Sequence, residues 1–173
     1  QELETQRPAA QRIMTPQNAY IMNSLLRDVV KYGTGRDAMR IGRNDLAGKT
    51  GTTNDQVDAW FNGFNPKLVA ISWVGFDSPR SLGRYETGGR AALPMWIDFM
   101  QAALEGTPEE PLELPNDMVT VKIDPETGLL ARAGSGGINE TFRIEYAPQE
   151  YSEAINTTHQ ENGTVVEPLI GLF

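Results

Sequence analysis

The sequence predicts an α+β domain in which helices pack on an antiparallel sheet. Three observations carry that expectation. Apolar residues recur at three- and four-residue spacing over 16–32 and again over 94–104, the mark of a helix with one buried face. Between them lie three short extended runs joined by tight turns, and strands linked that way pair as an antiparallel meander. No apolar stretch approaches the roughly 20 residues that span a bilayer.

The first helix is expected from Pro16 to Tyr32. Thr15 is a capping residue, and proline suits the first helical position. Ile21, Met22, Leu25, Leu26, Val29 and Val30 form its apolar face. Gly33-Thr34-Gly35 stops it, because glycine accepts the left-handed conformation that closes helices. A polar loop leads to Leu46–Thr53, followed by β-rich runs at Val57–Phe64 and Leu68–Phe76, with Asn65-Pro66-Lys67 as the turn between them. Trp73 alternates with Ile71 and Gly75 and so belongs to one face of the sheet. Residues 77–90 form a Gly/Arg/Ser loop. Pro94 opens the second helix, in which Met95, Phe99 and Ala103 repeat every four residues, as do Trp96 and Met100. Met118–Ile123 alternates like a half-buried strand, Asp124–Gly128 is a turn, and Leu129–Ala131 is the expected return. Phe142, Ile144 and Tyr146 form a short alternating patch.

Charge divides the 173 residues unevenly. The net charge is −8. Residues 1–106 carry 12 Lys/Arg against 11 Asp/Glu, whereas residues 107–173 carry 3 against 12. The change falls at the Pro/Glu run Gly106–Pro111, which has no periodicity. Residues 1–106 are therefore read as one part, and 107–173 as an acidic C-terminal extension with a strand pair at 118–131. An acidic balance argues against nucleic-acid binding by a basic surface. The chain has no cysteine, which excludes disulfides, thiolate nucleophiles and Cys-held metals. Its one histidine, His159, makes no metal cluster. No metal and no cofactor are expected.

The segment that carries chemistry is Gly48-Lys49-Thr50-Gly51-Thr52-Thr53, in the extended run that opens the meander. Lys49 supplies a fixed positive charge. The Thr50 and Thr52 hydroxyls are two residues apart and project from one face of a strand. Together they suit a carboxylate held by charge-assisted hydrogen bonds. Gly51 lets a substrate or another backbone approach closely, and a strand-edge N–H can act as an oxyanion donor. A phosphate loop is excluded, because the residue five before Gly48 is Arg43 rather than glycine. The bland alternative is a polar strand end.

The surrounding motifs decide between these readings. Gly48–Asp55, Asp58-Ala59-Trp60-Phe61, Trp73–Asp77, Thr87-Gly88-Gly89 and Ala92–Trp96 occur in order. This series resembles class A penicillin-binding proteins of the 1A type from Gram-negative bacteria. Gly33-Thr34-Gly35 fits the same family. The resemblance covers residues 15–105 with spacing intact and is weaker over 118–147. It implies a penicillin-binding transpeptidase fold, similar to serine β-lactamases, of which the chain would be the C-terminal part. It also implies D,D-transpeptidase activity within a bifunctional cell-wall synthase at the periplasmic face of the inner membrane. In that family the serine of a Ser-x-x-Lys motif attacks the penultimate D-Ala carbonyl of a peptidoglycan stem peptide. D-Ala leaves, and an amine of a second stem peptide resolves the acyl-enzyme into a cross-link. β-Lactams acylate the same serine. On this resemblance Lys49 stabilises the anionic substrate and assists proton transfer through the serine of a Ser-x-Asn motif. Thr50 and Thr52 hold the substrate carboxylate, the Thr52 N–H completes the oxyanion hole, and Gly51 keeps the strand clear.

Neither companion motif is present. Three residues after the serines at 24, 72, 78, 81, 135 and 152 stand Arg27, Gly75, Ser81, Arg84, Ile138 and Ile155, none of them lysine. No asparagine stands two residues after any of them. The expectation is therefore a C-terminal fragment of a transpeptidase domain, inactive alone. Its expected partners are an upstream fragment bearing the nucleophile, stem peptides ending in D-Ala-D-Ala, and β-lactams. Membrane attachment would come only through an anchor upstream. A serine β-lactamase or D,D-carboxypeptidase fragment, and a non-catalytic binding module of the same fold, are the alternatives. Glu86–Arg90 either borders a cleft or is a flexible loop, and Arg84 and Arg90 either meet anions or are simply solvated. Trp60, Phe61, Phe64, Trp73 and Trp96 either line a pocket or, as aromatics on strands and a helix more often do, fill the core, and His159 is assigned no catalytic role.

Overall fold

A computed structural model describes residues 12–153, which form two compact units divided between Met118 and Val119. His159 lies outside the described residues. In the first unit, helix α1 spans Pro16–Lys31, and the Thr15 side chain caps it by accepting the Asn18 N–H at 3.2 Å. Its end is closed by N–H groups folding back: Tyr32 donates to Asp28 O, and Gly33 and Gly35 donate to Val29 O at 3.1 and 3.0 Å. A 3₁₀ stretch, Arg36–Ile41, leads toward the sheet.

The sheet has three strands, β1 (Ala47–Thr52), β2 (Ala59–Phe64) and β3 (Val69–Val74). Their order is β1-β2-β3, all antiparallel. The register sets Lys49 opposite Asn62, Thr50 opposite Phe61, Gly51 opposite Trp60 and Thr52 opposite Ala59. The β1–β2 connection is tight enough to force Asp55 and Gln56 to positive φ, 58° and 50°. The β2–β3 turn is built by Asn65, whose buried side-chain oxygen accepts the N–H groups of Lys67 and Leu68 at 3.1 and 2.8 Å. This is the competition of a short polar side chain with the ladder that makes asparagine a turn former. A π-helical turn, Gly88–Ala92, then runs directly into helix α2, Leu93–Ala103.

One face of the sheet is the core. Phe61 meets Trp96 edge-on with ring centroids 4.9 Å apart, a favoured aromatic geometry. Leu46, Leu93, Ile97, Met100 and Val30 close around them. The Trp96 indole N–H donates to Ala70 O at 3.1 Å, so burial leaves it satisfied. Space for this pair comes from glycines: a Cβ on Gly63 would lie 2.5 Å from the Trp96 ring, and one on Gly48 would lie 2.7 Å from Phe61. The α+β architecture expected from the sequence is thus the one observed.

The opposite face corrects the assignment of two tryptophans. Trp60 and Trp73 pack on each other at 6.0 Å but remain 37% and 43% exposed. Val69 and Ile71 share that face and are 70% and 63% exposed. Alternation places all four on one side of the sheet, and no described residue covers that side as the core side is covered. Phe61 and Trp96 are core as expected, and Phe64 is half-buried.

Arg43, just before β1, ties residues 107–110 to this unit. It pairs with Asp45 at 2.6 and 2.8 Å and donates to the carbonyls of Thr107 and Pro108 at 2.6 and 3.2 Å. Burial raises the cost of ionising Asp45. The Arg43 bond and the Glu110 N–H more than offset that cost, holding its carboxyl below the ordinary value. The Arg43 guanidinium is pushed up by its bond to Asp45.

In the second unit, the strand Met118–Ile123 (β4) pairs with Ile138–Arg143 (β5). The Thr120 and Thr141 hydroxyls lie 2.9 Å apart across that pair. The turn after β4 closes with Gly128 N–H to Asp124 O at 2.8 Å and uses the positive φ of Gly128, 72°. Leu130 then makes single bridges to Ile123 and Tyr151. Among the described residues, no helix is long and apolar enough to cross a membrane.

Candidate active site

Strand β1 brings the candidate residues to one place in two groups. Thr50 and Thr52 share a face and line an open cleft of about 460 Å³. The other lining residues are Gly33, Thr34, Arg36 and Asp37 after α1, and Thr87, Gly89 and Arg90 before α2. Lys49 points from the other side of the strand and is exposed. Its ammonium folds over the strand, donating to Thr50 O at 3.1 Å and reaching Thr50 Oγ1 at 3.5 Å. The charge therefore reaches the Thr50 hydroxyl, which shares the cleft with that of Thr52. With two arginines against one aspartate on its rim, and Lys49 beside it, the cleft has a net positive lining.

Gly51 lies over Trp60, where a Cβ would come within 3.1 Å of the Trp60 Cβ. The backbone that approaches Gly51 closely is that of Gly88. A Cβ on Gly88 would lie 2.2 Å from Trp60 O and 2.5 Å from Gly51 O. The turn 87–89 is thus laid flat on β1 and β2, and only glycine permits it. Gly88→Ala should lower unfolding free energy by about 1–3 kcal/mol, read from the urea midpoint of the full-length protein. An unchanged midpoint would show that the turn relaxes freely off the strand.

Several functional neighbours were not read as such in the sequence. Within Gly33-Thr34-Gly35, which stops α1 and fits the family series, the Thr34 hydroxyl lies 2.8 Å from that of Thr50. Gly88 N–H donates to Thr52 Oγ1 at 3.0 Å. Arg36 and Asp37 follow that helix stop immediately, which is the signal that was available. Of the loop 86–90, Thr87, Gly89 and Arg90 border the cleft. Arg84 instead stacks on Tyr85, 4.7 Å from its ring centre. Among the described residues, no group of three or more His, Cys, Asp and Glu is placed to hold a metal.

No protein-family model matches the chain. It is, however, 49% identical over 145 residues to penicillin-binding protein 1A of Pseudomonas aeruginosa, an alignment covering 83% of this chain and 18% of that one. The chain is a homologue of penicillin-binding protein 1A. The protein of that name from Neisseria flavescens is 50% identical over 111 residues, 64% of this chain and 14% of that one. The crystal structure of penicillin-binding protein 1A from Haemophilus influenzae matches with a TM-score of 0.77 at 37% identity, over 83% of this chain and 22% of that one. The α+β fold described above is therefore a penicillin-binding protein 1A fold, and the chain spans between 14% and 22% of the length of these relatives.

Proposed function

We propose that the chain forms one wall of a D,D-transpeptidase site, within a bifunctional cell-wall synthase at the periplasmic face of the bacterial inner membrane. The observation that carries the reading is the β1 edge, where Lys49 reaches the Thr50 hydroxyl and Thr50 and Thr52 line an open cleft in a penicillin-binding protein 1A fold. An upstream part of the same domain supplies the nucleophilic serine and the Ser-x-Asn motif. It packs on the open face of Trp60, Val69, Ile71 and Trp73, whose exposure suits an apolar partner surface.

In this reading the stem peptide lies along β1 with its terminal carboxylate at the Thr50 and Thr52 hydroxyls. Lys49 adds the charge that makes those bonds charge-assisted. The serine hydroxyl adds to the penultimate D-Ala carbonyl, and the Thr52 N–H stabilises the oxyanion as it forms. Collapse expels D-Ala, and the amine of a second stem peptide then displaces the serine. A β-lactam presents the same carboxylate and carbonyl and stops at the acyl-enzyme.

Fluorescent penicillin should label the full-length protein covalently and leave the 173-residue segment, expressed alone, unlabelled. Covalent labelling of the segment would overturn the assignment of the nucleophile to an upstream part. A full-length protein that binds stem peptide but is never labelled would instead identify a non-catalytic binding module.

A further inference from the structure

We infer that Thr34 and the Gly88 N–H are positioning groups, which take up the inward-facing capacity of Thr50 and Thr52 and thereby aim both hydroxyl protons into the cleft at a carboxylate. The inference rests on the reading of the cleft as a transpeptidase site and names the residues that tune it.

A threonine hydroxyl has one proton to give and two lone pairs to receive with. The Thr52 oxygen receives the Gly88 N–H at 3.0 Å. An amide N–H accepts nothing, so the Thr52 proton must go elsewhere. Among the described residues no protein acceptor takes it, and Thr52 lines the cleft. The Thr50 oxygen faces two neighbours, Lys49 Nζ at 3.5 Å and Thr34 Oγ1 at 2.8 Å. An ammonium only donates. Between the two threonines either hydroxyl can donate while the cleft is empty. An anion in the cleft removes that symmetry: Thr50 gives its proton to the anion, and Thr34 must donate to Thr50. The result is a relay from Thr34 through Thr50 to a carboxylate, in which each bond polarises the next.

Thr34 is fixed for this task. Gly33 and Gly35 on either side both donate to Val29 O, and a Cβ on Gly89 would lie 3.1 Å from Thr34 O. Its backbone is thus gripped between the end of α1 and the turn 87–89. That turn is the same element that delivers the Gly88 N–H to Thr52. One junction therefore orients both hydroxyls, although Thr34, Thr50 and Gly88 are far apart in the chain.

The test uses the full-length protein with Thr34→Val, which keeps shape and removes the hydroxyl, and Thr34→Ser, which keeps the hydroxyl. Acylation rates are measured with a penicillin bearing its free carboxylate and with the same penicillin esterified there. For Thr34→Val the free acid should react up to about tenfold more slowly, the scale of one neutral hydrogen bond. The ester should react at the wild-type rate, and Thr34→Ser should restore the free-acid rate. An unchanged free-acid rate for Thr34→Val overturns the inference, as does an equal loss with acid and ester or a failure of serine to rescue. If the wild-type protein is acylated by neither compound, the transpeptidase reading itself falls, which separates that failure from failure of the relay.

Discussion

Lys49→Ala in the full-length protein should cut the rate of penicillin acylation by about 10²–10³-fold, the scale of removing one preorganised electrostatic donor, while leaving the fold intact. The two halves of this expectation come from the same geometry. Lys49 is exposed, and among the described residues its hydrogen bonds are to Thr50 alone. Nothing in the core depends on it, so the unfolding midpoint should barely move. The loss is instead specific to an anion arriving at Thr50 and Thr52, whose hydroxyls then act without a charge behind them. Lys49→Arg separates charge from proton handling. A guanidinium keeps the positive charge but stays protonated, so carboxylate binding should survive better than acylation. A time course with fluorescent penicillin beside a thermal melt makes the measurement. Near-normal acylation by Lys49→Ala would defeat the assignment of β1 as the catalytic wall.

The local elements were readable because each has a local cause. Thr15-Pro16 and the glycines at 33 and 35 bound α1, and Asn65 makes the β2–β3 turn with its own side chain. Period-two alternation puts Trp73 and Ile71 on one face of their strand, and the register adds Trp60 to it, but alternation carries no information about which face is covered. The large apolar area of an indole favours the core for both tryptophans, and they lie on the open side instead. Thr50 and Thr52 were legible as a pair, since two residues on a strand always share a face. What they bond to was not. The Thr34–Thr50 contact joins positions 16 residues apart, and the Gly88–Thr52 contact joins positions 36 apart. Tertiary packing creates these contacts, and spacing along the chain records only the glycines that allow them. The Arg43–Asp45 pair was hidden in the same way, because its value depends on burial against carbonyls at 107 and 108.

That pair carries the largest expected effect on stability. Asp45→Ala should cost about 3–5 kcal/mol, since it leaves a buried guanidinium without its counter-charge. The Asp45 side chain is 2% exposed and that of Arg43 10%, so the pair is largely removed from water. Arg43 would keep the Thr107 and Pro108 carbonyls, which neutralise none of its charge. Acid gives an independent check. The folded-state pKa of Asp45 lies below its ordinary value of 3.8, so the native state binds this proton less readily than the unfolded chain. The pair's contribution is therefore fully present above that ordinary value and drains away as pH falls through the lower, folded one. Arg43 stays protonated throughout and adds no slope in this range. Asp45→Asn imitates the protonated carboxyl, so its stability deficit against the wild type should be constant near neutrality and shrink below about pH 4. A deficit that stays constant down to pH 3 would mean that Asp45 acts through shape alone. Because Asp45 stands two residues before Ala47, where β1 begins, the same variants should slow acylation as β1 loses its anchor. The Lys49→Ala variant, which loses activity without losing stability, provides the contrast that tells the two causes apart.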